Sequence, residues 1–237
     1  MEVLLKKRHS LWYDAWKRLK KNRAAMLGLA MVIIFILIAI TAPLLAPYHP
    51  DEIDLFSVLK SPSGDHWLGT DFYGRDLLSR IIYGSRISLG VGILVQGISL
   101  TIGTFFGSLA GYYGGKIDIV IMRFVDIVMS FPSLLLTIAI MVALGPGLYN
   151  VFLALGIVSW TRTARVVRSE FIRHRERDYV KAARAIGNND FKIIFRHILP
   201  NCMAPLIITF TMGIATAIMS EASLSFLGLG AQEPTPS

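Results

Sequence analysis

The sequence has 237 residues, of which 54% are hydrophobic and only 17% are charged, and its formal net charge is +8. An ordinary soluble domain has a charged fraction nearer ~25%, so this composition indicates a membrane protein. The positive charge does not indicate a nucleic-acid-binding domain, because the basic residues are separated by long uncharged runs instead of clustering on one soluble face.

Apolar, uncharged stretches predict five membrane-spanning helices, and a helix that crosses the bilayer needs ~20 mostly apolar residues. The first stretch is too long for the ~7 to 15-residue apolar core of a secretory signal, and we interpret it as an anchor. The run from Ile127 to Thr161 is divided by Gly145-Pro146-Gly147, a combination that ends helices. Its second half is short and is expected to continue as helix into the polar segment. The predicted spans lie at residues 25–46, between 86 and 116, at 118–144, at 150–160 and at 201–220, the last continuing to 232.

Small residues recur every four positions in the second span. Ser99, Gly103, Gly107 and Gly111 therefore lie on one helix face, where the backbone of another helix can approach closely. This stripe predicts tight helix packing. The alternative is the general abundance of glycine in membrane helices.

The distribution of Lys and Arg predicts the orientation. Residues 1–24 hold eight basic and two acidic residues, residues 47–80 hold three basic and six acidic residues, and residues 162–200 hold ten basic and four acidic residues. The N-terminus and the 162–200 loop are therefore expected to be cytoplasmic and the 47–80 loop external. Before the first span, an apolar stripe predicts an amphipathic helix lying in the inner membrane interface. This stripe consists of Leu11, Trp12, Ala15, Trp16 and Leu19.

The stretch from Tyr179 to Pro200 predicts a helix, a turn and a second helix. The turn is expected at Gly187-Asn188-Asn189, and Asp190 can cap the second helix. The apolar residues of the first helix are Val180, Ala182, Ala183 and Ile186. Those of the second helix are Phe191, Ile194, Phe195 and Ile198, spaced as one helix face. Such faces either pack on the membrane domain or bind another protein, and the residues alone favour neither.

The same stretch resembles the EAA loop of permeases in binding-protein-dependent ABC importers. That pattern is Glu-Ala-Ala, three residues, Gly, nine residues and Ile-x-Leu-Pro. Lys181 replaces the Glu and His197 the Ile, whereas Ala182, Ala183, Gly187, Leu199 and Pro200 match. The resemblance implies that this loop couples the permease to an ATPase. The implied coupling residues are Val180, Lys181, Ala182, Ala183, Ile186, Gly187, Phe191, Phe195, Leu199 and Pro200.

Two further stretches resemble the C-type permease subunits of dipeptide, oligopeptide and nickel importers. The first contains residues 66–71, 74–76 and 79–80, and the second is residues 221–230. The resemblance implies an all-α integral membrane protein with the transmembrane domain of a type I ABC importer. Residues 81–237 would form the permease core, with the coupling loop at 162–200. The family has a sixth span after this point, so a sixth span is expected to be missing by truncation.

The implied function is that of a permease subunit, not an enzyme, in an ATP-driven importer for dipeptides or oligopeptides. The implied partners are a second, B-type permease, two cytoplasmic ATPase subunits, an extracytoplasmic substrate-binding protein and membrane lipid, with no nucleic acid. ATP and Mg²⁺ would be bound by the ATPases, with no cofactor in this chain. The expected location is a bacterial or archaeal cytoplasmic membrane, crossed several times. The alternatives are a nickel importer of the same family or an ion-gradient secondary transporter.

Individual polar residues within the spans have structural and functional interpretations. Arg123 and Asp126 are expected to form a local ion pair, and Glu221 is expected to be structural, with a gate contact as the alternative. Pro132 predicts a kink in the third span, either along the translocation path or for packing. The five histidines and single cysteine show no metal-ligand spacing, so no metal site and no catalytic residue are predicted.

Overall fold

The computed structural model describes residues 16, 17 and 19–236. This part of the chain is helical and contains no β-strand, only an isolated bridge between Thr70 and Asp76. The helices are α1 (Arg23–Leu45), α2 (Leu77–Tyr113), α3 (Gly115–Ser130), α4 (Ser133–Leu144), α5 (Leu148–Arg175), α6 (Asp178–Ala185) and α7 (Asp190–Phe226). The all-α prediction is confirmed. The stripe positions Leu11, Trp12 and Ala15 lie outside the described residues.

Three described helices, α1, α2 and α7, are long and apolar enough to cross a membrane, and the bent pair α3–α4 would make a fourth. The predicted span at 150–160 forms the first part of α5, which continues to Arg175. The later turns of α5 carry several arginines, so length and composition do not mark it as a span. The five-span count therefore stays a prediction.

The predicted third span, residues 118–144, is two helices rather than one. α3 ends at Ser130 and α4 begins at Ser133, with an angle of 89° between them. Pro132 has no backbone N–H and forces the preceding residue out of the helical region, so Phe131 is extended, with φ −87° and ψ 139°. The expected kink is therefore a complete break.

The main packing contact joins α2 to α5 along the stripe of small residues. Ser99 Oγ lies 2.9 Å from Thr163 Oγ1, in a buried hydrogen bond. A Cβ atom on Gly103 would lie 2.6 Å from Thr163 Cβ, one on Gly107 2.6 Å from the Ala164 carbonyl oxygen, and one on Gly111 2.6 Å from Phe171 Cβ. Atoms that are not bonded to each other do not approach a Cβ so closely. The backbones of α2 and α5 are therefore packed at a distance that only glycine permits.

The long connection between α1 and α2 is fixed by charged groups. Arg75 is buried and donates to Asp71 Oδ2 at 2.7 Å and to Glu233 Oε1 at 3.2 Å, which joins this connection to the segment after α7. The hydrogen bond from Arg75 lowers the pKa of Glu233. Burial acts to raise the pKa of Asp71, but hydrogen bonds from Arg75 and Tyr73 outweigh it, so that pKa is lowered as well. Both carboxylates are therefore charged at neutral pH.

Candidate functional site

Segment 178–202, which contains the helix-turn-helix predicted for Tyr179 to Pro200, comprises α6, a turn and the first part of α7. The turn begins where Gly187 takes φ +80°, a left-handed conformation that closes α6. The Gly187 N–H donates to the Arg184 carbonyl at 2.9 Å, and the Asn188 N–H donates to that of Ala183 at 3.2 Å. The cap of α7 is Asn189, whose Oδ1 accepts from the Lys192 N–H at 2.9 Å. The prediction that Asp190 caps this helix is therefore wrong.

The start of α7 is wider than an α-helix. Residues Ile193–Ile198 form a π turn, in which the Leu199 N–H bonds to the Ile194 carbonyl, and a 3₁₀ turn, Leu199–Cys202, follows. Because each residue advances by a smaller angle in a π turn, side chains spaced for one α-helical face no longer lie together. Ile194 and Ile198 point into the chain, whereas Phe191 and Phe195 are exposed. The predicted single stripe is therefore divided between two faces.

The inner face of segment 178–202 packs on the ends of α2 and α5. Its buried side chains form one apolar cluster with Tyr112, Val167 and Phe171. Those contributed by the segment are Val180, Ala183, Ile193, Ile194, Ile198 and Cys202. Two predicted coupling residues, Val180 and Ala183, therefore contact the chain's own core and do not face outwards.

The other predicted coupling residues lie on the outer face, apart from Leu199, which is half-buried against the cluster. Lys181, Ala182, Gly187 and Pro200 are exposed. The outer patch, defined as Ile186, Phe191 and Phe195, has exposed fractions of 79%, 70% and 48%. The two phenylalanine rings contact each other, with centroids 4.5 Å apart. Where such exposed apolar side chains form a contiguous surface, that surface is a candidate for binding another molecule.

Tyr112, at the end of α2, contacts both helices of segment 178–202. Its hydroxyl donates to Asp190 Oδ1 at 2.6 Å, and the Arg184 guanidinium carbon lies 5.2 Å from its ring centroid. From α5, Arg175 Nη1 donates to the Gly111 carbonyl at 3.2 Å. Sequence reasoning missed these contacts, because partners so far apart in the chain leave no local pattern. The segment is therefore held against the α2–α5 pair by polar as well as apolar contacts.

Two ion pairs join α3 to α5 next to this packing. Arg168 donates two hydrogen bonds to Asp118, one of them from Nη2 to Oδ2 at 2.6 Å. Asp126 accepts from Arg165 Nη2 at 2.6 Å. The expected local pairing of Asp126 with Arg123 is therefore wrong, since Asp126 is bound across helices.

Glu221, the acidic residue within α7, is buried and has a local partner. Its Oε1 accepts from the Ser225 hydroxyl at 2.6 Å, one turn further along. The same hydroxyl accepts from the Ala231 N–H at 3.2 Å, which connects α7 to the segment that follows it. These contacts attach Glu221 to its own helix and to the segment that follows, and its structural role stays a prediction.

Glu170, His174 and Cys202 form a cluster that the sequence did not predict. One possible ligand atom from each lies within 4.8 Å of the others. The first two are one helical turn apart on α5, but Cys202 comes from α7, after the turn at Gly187. Spacing along the sequence therefore gave no signal for the group.

Solved structures define the class of this fold. Chains of the MetNI methionine ABC transporter in inward facing conformations superpose with TM-scores of 0.57 and 0.59. The matches cover 64% and 65% of this chain and 76% and 77% of those chains, at 21% and 20% identity. The fold is that of an ABC transporter membrane domain, as the resemblance implied.

The family follows from sequence comparison. Residues 103–237 match the family model of the binding-protein-dependent transport system inner membrane component, and residues 10–62 match that of the N-terminal TM domain of oligopeptide transport permease C. The chain belongs to the family of binding-protein-dependent transport system inner membrane components. The predicted resemblance to C-type permeases is confirmed.

Curated relatives of this chain transport peptides, according to their names. The dipeptide transport system permease protein DppC of Alkalihalophilus pseudofirmus is 49% identical, over 96% of this chain and 75% of the relative. The oligopeptide transport system permease protein OppC of Bacillus subtilis is 40% identical, over 100% of this chain and 77% of the relative. The glutathione transport system permease protein GsiD of Escherichia coli is 43% identical, over 95% and 75%.

Proposed function

We propose that this chain is a permease subunit of an ATP-driven importer of dipeptides or oligopeptides. The 49% identity to a dipeptide permease over nearly the whole chain carries this proposal. Relatives named for oligopeptides and glutathione widen the substrate class to short peptides, since glutathione is itself a tripeptide. Nickel import is the alternative within the same family.

In the proposed assembly, the chain and a second, B-type permease enclose the translocation path. Two cytoplasmic ATPase subunits bind ATP and Mg²⁺, and an extracytoplasmic binding protein delivers the peptide. The N-terminus and segment 178–202 lie on the cytosolic side of the membrane. The connection between α1 and α2 lies on the extracytoplasmic side. The excess of Lys and Arg at residues 1–24 and 162–200 supports this orientation.

We infer that segment 178–202 receives force from an ATPase through its outer patch. Ile186, Phe191 and Phe195 expose large apolar surfaces that a cleft on the ATPase would bury. The inner face is packed on α2 and α5, and the Tyr112 contacts fasten it there. Displacement of the patch would therefore move these helices as one body. Nucleotide that binds the closed ATPase pair preferentially would shift the permease between inward-open and outward-open states.

Uptake of a labelled dipeptide tests the transport proposal. Cells lacking the gene should lose ATP-dependent uptake, and the intact gene should restore it. If the chain were an ion-gradient secondary transporter, uptake would depend on the ion gradient and not on ATP. If uptake persists without the ATPase genes but stops when an ionophore collapses the ion gradient, the importer proposal is wrong.

Substitution in the outer patch tests the coupling proposal. Phe191→Asp puts a charge where an apolar contact is proposed, and it should abolish co-purification of the ATPase and dipeptide uptake. Phe56→Asp is a matched control, because Phe56 is 94% exposed but lies between α1 and α2. The control should retain the ATPase. Retention of the ATPase by both variants would contradict a docking role for the patch.

A further inference from the structure

We propose that Glu170, His174 and Cys202 form a binding site for a divalent transition-metal ion of the zinc type. A carboxylate oxygen, an imidazole nitrogen and a sulfur atom lie within 4.8 Å of one another. The distance from His174 Nε2 to Glu170 Oε2 is 3.8 Å. The three groups come from two helices, so an ion here would connect α5 to the start of α7.

The imidazole is oriented for such a role. His174 Nδ1 lies 2.8 Å from the Tyr179 hydroxyl. When Nδ1 donates its hydrogen to this oxygen, Nε2, which lies 3.8 Å from Glu170 Oε2, keeps its lone pair for an ion. In the described part of the chain, Nε2 is a buried atom with no hydrogen-bond partner. A buried nitrogen in this state requires an explanation. Metal-binding histidines are commonly held by an outer partner on the other ring nitrogen, the position that Tyr179 occupies.

The donor set selects the metal. Thiolate and imidazole are the usual ligands of Zn²⁺, and carboxylates join them at sites with three protein ligands and one water. Metal–ligand bonds of ~2.0 to 2.3 Å place tetrahedral ligands ~3.5 Å apart, so the ligand atoms have to approach one another by up to about 1.3 Å. Cys202 would bind as thiolate and release its proton to water. Glu170 also pairs with Arg173, whose exposed side chain can turn to solvent when the metal binds.

The position of the site gives the ion a mechanical role. Cys202 ends the 3₁₀ turn at the start of α7, and Tyr179 belongs to α6, so the site includes both helices of segment 178–202. A bound ion would fix this segment on α5 and restrict its movement. The occupied protein should therefore unfold at a higher temperature than the metal-free protein.

Cobalt titration tests the proposal, using the chain purified in detergent with the subunits that accompany it. After removal of metal with a chelator, Co²⁺ should produce thiolate-to-cobalt absorption at about one equivalent per chain, and Zn²⁺ should abolish the signal. Cys202→Ser should lower this absorption by one equivalent per chain, because Cys202 is the single cysteine of this sequence, and any absorption that remains would come from cysteines of the other subunits. His197→Gln is the matched control, because His197 Nε2 is also buried without a hydrogen-bond partner among residues 16, 17 and 19–236 but lies outside the cluster. Its absorption should equal that of the unmodified protein.

A second variant keeps the test decisive if Cys202→Ser does not fold. Tyr179→Phe leaves all three ligands but removes the outer partner of His174, and it should weaken Co²⁺ binding by ~10 to 100-fold. A protein that binds no Co²⁺, or equal absorption from the unmodified protein and Cys202→Ser, would overturn the proposal. Equal affinity of Tyr179→Phe and the unmodified protein would also count against it.

Discussion

Gly107→Ala should destabilise the α2–α5 pair although it adds only one methyl group. The new Cβ would lie 2.6 Å from the Ala164 carbonyl oxygen, where 3.4 Å is the near limit of ordinary contact. The helices would have to separate locally by about 0.8 Å, because backbone atoms cannot rotate away. A gap of ~0.5 to 1 Å forfeits a quarter to a half of the dispersion energy of the atoms that line it. We expect a loss of about 1 to 3 kcal/mol, typical of overpacking in a well-filled core.

The assay compares Gly107→Ala with Gly97→Ala, on the same helix. Apart from the backbone of its own helix and its chain neighbours, no described atom lies within 4 Å of a Cβ at Gly97, so alanine there removes only the flexibility of glycine. Its effect should be neutral or stabilising by ~0.5 to 1 kcal/mol. Chains fused to a fluorescent protein would be solubilised, heated and separated by size-exclusion chromatography. At ~2 to 4 °C per kcal/mol, Gly107→Ala should lower the melting temperature by about 2 to 12 °C. Equal melting temperatures for the two variants would refute the close-packing argument.

Three further outcomes are expected from the same melting assay. The hydrogen bond from Arg75 lowers the pKa of Glu233. Their contact therefore stabilises the fold at pH values above the range in which carboxyl groups ordinarily titrate. This contribution is lost as the pH falls through the lowered pKa. Between pH 7 and about 3, the unmodified protein should therefore lose more melting temperature than Glu233→Gln, and parallel pH profiles would contradict this. A double-mutant cycle on Asp126 and Arg165, both about half exposed, should give a coupling energy of only ~0.2 to 1 kcal/mol. Gly187→Ala should cost ~1 to 2 kcal/mol through its positive φ alone, since no described atom beyond its chain neighbours lies within 4 Å of the added Cβ. Gly187→Asn should recover part of the loss.

Features that depend on local spacing could be predicted from the sequence. The repeat of small residues indicated the face of α2 that meets α5, and the Gly187 turn was expected because few residues adopt positive φ. Family motifs at residues 66–80 and 182–200 indicated the class of protein. In each case the signal lies within a short stretch of chain, where spacing determines which side chains share a face.

Features that depend on backbone detail or on distant contacts could not be predicted. The single apolar face predicted for the start of α7 assumed α-helical spacing. The π turn at Ile193–Ile198 places Ile194 on the buried face and Phe195 on the exposed face. The Tyr112 hydroxyl donates to Asp190, 78 positions away, and a contact between residues so far apart produces no periodic pattern in the sequence. The metal-ligand cluster likewise needs the fold to bring Cys202 beside α5.

The two faces of segment 178–202 also set how its sequence can change during evolution. Ile194 and Ile198 pack within the chain, so a change there has to be compensated by a residue of the same gene. Phe191 and Phe195 are exposed, and under the coupling proposal a change there can be compensated in a separately encoded partner. Substitutions at neighbouring positions should therefore covary with different genes. In an alignment of paired permease and ATPase sequences, the outward positions should track the ATPase, and the inward positions should track α2 and α5.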